Sequence, residues 1–306
     1  MRPHIPVIDC HQHLWGLGEN PRYPWLLADG GQLTPSYDVS EYLHDMRSLD
    51  LIGSVHVEAG WDRGDPCGET AWLAERITAT GWPSAAVAYA DLAADDVQAV
   101  LDRQSSFSFV RGIRMRLAED HPSLFALQAG DNLMVDPCWL AGFSHLREHK
   151  FSFELQVTPR LMPDAATLAD TFPDTTIIVS HLGFPMNRSA EGLAGWRSGL
   201  GRLAERPNVL VKLSGLAMID PEMNPRNLSS LVEQAVELFG PSRAMFGTNF
   251  PVDAKVVPAN AHLERLFEIF RGFSESELHA IFHETAARIY HMQSRSFTGS
   301  RAPSVN

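Results

Sequence analysis

Eight short apolar or β-branched runs, spread evenly through most of the chain, constrain the fold more than any other feature. They occupy 5–10 (IPVIDC), 52–58 (IGSVHVE), 85–90 (AAVAYA), 109–117 (FVRGIRMRL), 152–157 (SFELQV), 176–181 (TIIVSH), 209–214 (VLVKLS) and 243–249 (RAMFGTN). Each is bounded by Gly or polar residues, as strands are. The runs recur about every 34 residues, the length of a βα unit rather than of a hairpin, which implies parallel strands. Helical spacing fills the intervals. Tyr42, Leu43, Met46 and Leu49 form one stripe, and Leu228, Leu231, Val232, Ala235, Leu238 and Phe239 form another; such stripes cover a sheet. Ser274 and Glu277 make a capping box at the head of a terminal helix that continues through Leu278, Ile281, Phe282, Ile289 and Tyr290.

Eight alternating units favour one α/β fold, a closed (β/α)8 TIM barrel, over an open doubly wound sheet. The 306 residues suit a single barrel domain over 1–292, with the polar stretch 293–306 expected to be a disordered tail. Two loops are extended, 15–37 after the first strand and 120–137 after the fourth. Long loops on the C-terminal rim shape substrate sites.

Charge narrows the partners. With 25 Lys and Arg against 37 Asp and Glu, the net charge is −12, which repels a phosphate backbone and argues against nucleic acid. No apolar run approaches the roughly 20 residues of a membrane span, and Met1–His4 leads directly into a strand, so a cytoplasmic protein with no membrane contact is expected. Cys10, Cys67 and Cys138 are widely spaced and form no C-x-x-C, against both a disulfide framework and a thiolate zinc site. A small molecule is the expected partner; monomer and homo-oligomer both stay open.

The chemistry-bearing residues gather at strand ends. Asp9, His11 and His13 alternate along the first strand, so strict period-two alternation points all three into the barrel mouth and turns Cys10 outward. Two such imidazoles can converge on one ion or one substrate oxygen. His181 ends the sixth run before a turn, Leu-Gly-Phe-Pro, at the rim from which catalytic groups project in this fold. Arg114 and Arg116 share a face of the fourth strand and suit a carboxylate or a polarised carbonyl. The competing reading is a buried ion pair with Glu58 or Asp91. Glu58 is placed on the same face as His56, as a base or as a buried hydrogen-bond partner. Lys212 is expected to pair within the barrel, with Ser214 nearer the mouth. Trp61, with Trp15, Tyr23 and Trp25, can form a lid, stack on a ring substrate, or simply pack a long loop. His279 and His283 are spaced i, i+4, but Ala280 stands where H-E-x-x-H needs its Glu, and their helix is expected outside the barrel. G-x-S-x-G, dinucleotide and P-loop signatures are all missing.

The set Asp9-x-His11-x-His13, Ser180-His181-Leu182-Gly183-Phe184-Pro185 and Gly247-Thr248-Asn249-Phe250-Pro251 resembles the amidohydrolase superfamily in order and spacing, from residue 5 to about 292. The run 55–58, Arg111 to Arg114 and Ala286 to Tyr290 look like the branch that contains 2-pyrone-4,6-dicarboxylate lactonase and sugar-acid lactonases such as L-fuconolactonase. The resemblance implies a hydrolase that opens a small lactone by attack of water on the ring carbonyl. It puts His11, His13 and His181 around the carbonyl, with or without a single zinc ion on those three imidazoles. Two departures follow from it. Gln156 stands at the inward position of strand five where metal-dependent members carry a ligand, which argues against a binuclear site. Asn249 stands where the family places the strand-eight carboxylate, and an amide is no base. Asp253 in the following loop, Glu58, or a zinc-bound water are the three replacements. His56, Glu58, Arg114, Arg116, Gln156 and Trp61 are the expected substrate contacts. A metal-dependent decarboxylase of the same superfamily and a non-hydrolytic isomerase or binding protein are the alternatives.

Overall fold

A computed structural model describes residues 5–16, 22–28, 33, 36–117 and 132–292. The eight runs form strands in order: β1 (Pro6–Gln12), β2 (Asp50–Val57), β3 (Ala85–Tyr89), β4 (Val110–Arg114), β5 (Ser152–Leu155), β6 (Ile177–Val179), β7 (Val209–Leu213) and β8 (Ala244–Phe246). They form one eight-stranded parallel sheet in sequential order. The ring closes at its C-terminal end: Asn249 N–H donates to His11 O at 2.7 Å and His13 N–H to Phe250 O at 2.8 Å. This is the (β/α)8 barrel expected from the spacing.

Local chemistry sets the helices. Asn224 caps Pro225–Phe239 by accepting from Arg226 N–H, Pro225 takes the first turn, and Gly240 stops the helix at φ 73°. Its buried face is Leu228, Leu231, Val232, Ala235, Val236 and Phe239; Val236 replaces the expected Leu238, which lies on the flank. Each such side chain contributes roughly 1.5–3 kcal/mol on burial. The Ser274–Glu277 capping box forms as read.

One apolar cluster joins Ile8 and Cys10 of β1 to Val55 and Val57 of β2, Ala85 and Val87 of β3, Ile178 of β6, Leu210 of β7 and Met245 of β8. Strands on opposite sides of a barrel can share a cluster only through its interior. Cys10 therefore faces inward, against the expectation. The reason is a bulge: Asp9 pairs with Ser54 and Gln12 with His56, so β1 carries one extra residue and the alternation reverses between Cys10 and His11. Asp9 is thrown outward, where it accepts from Tyr42 OH at 2.9 Å on the helix Val39–Asp45, and from Thr248 N–H and Oγ1 at 2.9 and 2.6 Å. It braces β1 to β8 instead of entering the mouth. Extra residues also occur at Ile52 on β2 and at residue 111 on β4.

The terminal helix also departs from expectation. It lies against β1 and β8, yet its last turn enters the interior cluster through Ala286 and Tyr290. Tyr290 OH donates to Glu154 at 2.5 Å, and Lys212 Nζ lies 2.8 Å from the same carboxylate, both charges fully buried. Lys212 thus pairs within the barrel. The loop 120–137 falls mostly outside the described residues, as does 293–306. Of the loop 15–37, the described parts include a short antiparallel ribbon, Trp15–Gly16 with Ser36–Tyr37. No helix among the described residues is long and apolar enough to cross a membrane.

Candidate active site

At the C-terminal mouth the three expected imidazoles come together. The His11 ring centroid lies 5.1 Å from that of His13 and 4.5 Å from that of His181. Each is held differently. His13 Nδ1 is 2.7 Å from Val57 O, a contact that makes Nδ1 the donor and leaves Nε2 as a lone pair. His181 Nδ1 is 2.9 Å from Ser214 Oγ. His11 is fully buried with neither ring nitrogen hydrogen-bonded. A buried imidazole without partners is costly.

The backbone around His181 is unusual. His181, Leu182, Gly183 and Phe184 take φ values of 52°, 56°, 65° and 51° in succession, a left-handed turn costing on the order of 1–2 kcal/mol for each L-residue. The indole of Trp196 holds it by donating to Leu182 O at 2.6 Å. Two glycines make room for the imidazoles: a Cβ on Gly215, at φ +62°, would lie 2.6 Å from His181 Nδ1, and one on Gly247 would lie 2.7 Å from His11 Cβ. Gly215, Gly247, Thr248 and Trp196 are supporting residues that strand reading does not find. Only Gly247 and Thr248 carried a signal, as members of the Gly-Thr-Asn-Phe-Pro run.

All three imidazoles are held neutral. Burial, then the Lys212 ammonium and the neighbouring rings, push His11 well below the usual range. Burial and the Arg114 guanidinium do the same to His13. Burial, Arg114 and Lys212 bring His181 down to about 3. Asp253 moves the opposite way: burial lifts it to about 7, against hydrogen bonds from Asn249 and Ala217. It does not swing into the mouth. Asp253 is fully buried, accepting from Ala217 N–H at 3.0 Å and Asn249 Nδ2 at 2.7 Å. Asn249, itself at φ 60°, also directs Nδ2 to Met218 Sδ at 2.9 Å.

The remaining candidates separate. Arg114 Nε donates to Glu58 Oε1 at 2.7 Å and its Nη2 to Glu58 O, so the buried ion pair is what forms. Glu58 also accepts from Gly60 N–H at 2.8 Å. Burial alone would raise its carboxyl, but Arg114, Arg116 and Gly60 outweigh that and hold it below its ordinary range. A carboxylate so engaged is a poor base. Glu58 and His56 have different partners: His56, on β2, accepts from Leu14 N–H at 3.1 Å with Nε2 3.6 Å from Glu69, while Glu58, just past the end of β2, bonds Arg114. Gln156 follows Glu154 by two residues and is largely buried. Trp61 packs edge-on against Tyr23 at 5.3 Å, as part of a packed loop.

Three neutral imidazoles, two with Nδ1 already engaged, are donors of the kind zinc takes. Their placement is less suitable: among the described residues no three His, Cys, Asp or Glu side chains are arranged to share an ion. The donor types fit and the arrangement does not.

These pKa shifts make stability depend on pH. Folded His11, His13, His181 and His262 (the last lowered to about 3 by burial) refuse protons that the unfolded chain accepts below about 6.5. Asp9 and Asp253 oppose this, because their raised values let the folded chain keep protons that the unfolded one loses. The imidazoles outnumber them. The thermal midpoint is expected to fall steadily from pH 7 to pH 5; a rise over that interval would mean that the rings are charged in the folded protein.

The molecule is a parallel (β/α)8 barrel whose C-terminal mouth gathers three buried imidazoles. The chain belongs to the amidohydrolase family, whose model matches residues 8–292. It is 34% identical over 294 residues to the uncharacterized protein y4mH of Sinorhizobium fredii, covering 94% of this chain and 98% of that one. It is 28% identical over 302 residues to L-fucono-1,5-lactonase of Burkholderia multivorans, covering 92% and 95%. Its fold is similar to that of an amidohydrolase from Burkholderia multivorans crystallised with bound zinc, with a TM-score of 0.78, 27% identity and coverage of 94% and 99%.

Proposed function

We propose that this chain opens a small sugar-acid lactone by attack of water on the ring carbonyl. The observation that carries the reading is His11, buried between His13 and His181 with both ring nitrogens unpartnered. Likeness to a relative named for L-fucono-1,5-lactone supports the substrate class.

The residues divide the work. His13 Nε2, whose lone pair is fixed by the Nδ1 contact to Val57 O, takes a proton as water adds to the carbonyl carbon. The N–H of His11, whose two nitrogens are both uncommitted, stabilises the oxyanion, and the Ser214 contact holds the His181 ring beside it. When the ring C–O bond breaks, the imidazolium returns the proton to the leaving oxygen, giving a hydroxy acid. Asn249 has its amide N–H group committed to Asp253, so its carbonyl oxygen orients the water. Asp253 positions Asn249.

Aldonolactones followed with a pH indicator between about pH 6 and 9, either side of the imidazole range, test this. Acid release well above the spontaneous rate is expected, and it is expected to survive exhaustive chelation, given the imidazole arrangement. Loss of turnover on chelation with recovery on adding zinc would make the site metal-dependent. No turnover of any lactone would end the hydrolase reading.

A further inference from the structure

We propose that Glu58 is a specificity-determining residue: by neutralising Arg114 at the mouth, it makes the site select uncharged lactones over lactones that bear a carboxylate. This rests on the lactonase reading above.

Arg114 ends β4 and is bound to Glu58, the residue that follows Val57, whose carbonyl holds His13 Nδ1, so the guanidinium lies on the His13 side of the mouth; its charge also acts on all three imidazoles. An unpaired arginine there would bind a carboxylate substituent in a fork. Here the fork is already filled. Glu58 takes Nε, the Glu58 backbone carbonyl takes Nη2, and the two side chains are 7% and 3% exposed. A substrate carboxylate would have to displace Glu58 from a buried pair or sit beside a like charge, and both are costly. Arg116 bears on the same Glu58 carboxylate and is itself partnered. The net charge of −12 adds repulsion at longer range. The uncharged groups beside the imidazoles, Ser214 on His181 and Asn249 on the His11 backbone, suit the hydroxyls of a sugar ring. Hydrolysis then converts a neutral ligand into an anion that the same arrangement disfavours, which aids release of product.

The test compares galactono-1,4-lactone with galactaro-1,4-lactone, which has the same ring and a terminal carboxylate. The wild type is expected to favour the neutral lactone at least tenfold in kcat/KM. Glu58→Gln is expected to lower that preference by about tenfold, through a gain on the charged lactone. The double variant Glu58→Gln with Arg114→Met, which leaves no buried charge unpaired, is expected to keep the preference for the neutral lactone, and it decides the matter if the single variant fails to fold. A wild type that favours the charged lactone, a ratio unmoved in Glu58→Gln, or a double variant that prefers the charged lactone overturns the proposal. If the wild type opens other lactones but does not discriminate between these two, only the role of Glu58 falls. If it opens no lactone, the hydrolase reading fails and this inference with it.

Discussion

Replacing His11 with alanine is expected to lower kcat/KM for lactone opening by about 10²–10³-fold, the usual cost of losing one donor to a developing oxyanion. The expectation follows from the state of the ring. The neighbouring rings are each anchored through Nδ1, His13 to Val57 O, His181 to Ser214 Oγ and His56 to Leu14 N–H, whereas neither nitrogen of His11 has a partner. Its energy is repaid only when a ligand enters. The same substitution is therefore expected to be neutral or mildly stabilising for the free protein, because it removes two unsatisfied polar atoms while leaving a small cavity. Kinetics and thermal melts on one preparation check both halves. A variant that melts far lower and loses activity only in proportion would mark His11 as a packing residue.

Lys212→Met is expected to have the largest effect on stability, a loss of about 3–5 kcal/mol, because it strands the Glu154 carboxylate inside the barrel. Lys212 Nζ lies 2.8 Å from Glu154 Oε1 with both side chains at 0% exposure, and the ammonium also sits 5.4 Å from the centroid of the Tyr290 ring. The carboxylate has two further contacts, Tyr290 OH at 2.5 Å and Ser180 Oγ at 3.4 Å. Adding Glu154→Gln to Lys212→Met removes the stranded charge while keeping an acceptor for Tyr290, and is expected to restore most of the loss. Chemical denaturation of the two variants checks the pair. Equal stability of single and double variants would show that the buried charges are not coupled.

The barrel was legible because its signal is one of spacing: eight runs at the interval of a βα unit leave few other topologies. The mouth was legible in part. His11, His13 and His181 were read from strand ends, and they meet there. The errors have local causes. Strict alternation turned Cys10 outward and Asp9 inward, and one extra residue in β1 reverses both. Nothing in Leu182 or Phe184 announces a left-handed turn, since neither residue favours that region. The pairing of Glu58 with Arg114 spans 56 residues of sequence, and that of Asn249 with Asp253 depends on a buried loop; long-range polar contacts of this kind leave no periodic trace.

Single, double and triple replacement of His11, His13 and His181 by glutamine, with kcat/KM measured for each, tests the convergence of the imidazoles most directly. Groups that act on one carbonyl as a unit lose nearly everything with the first removal, so the triple variant is expected to be little worse than the worst single one. Losses that multiply independently, or a single variant with wild-type turnover, would show that the three rings do not serve one reacting centre.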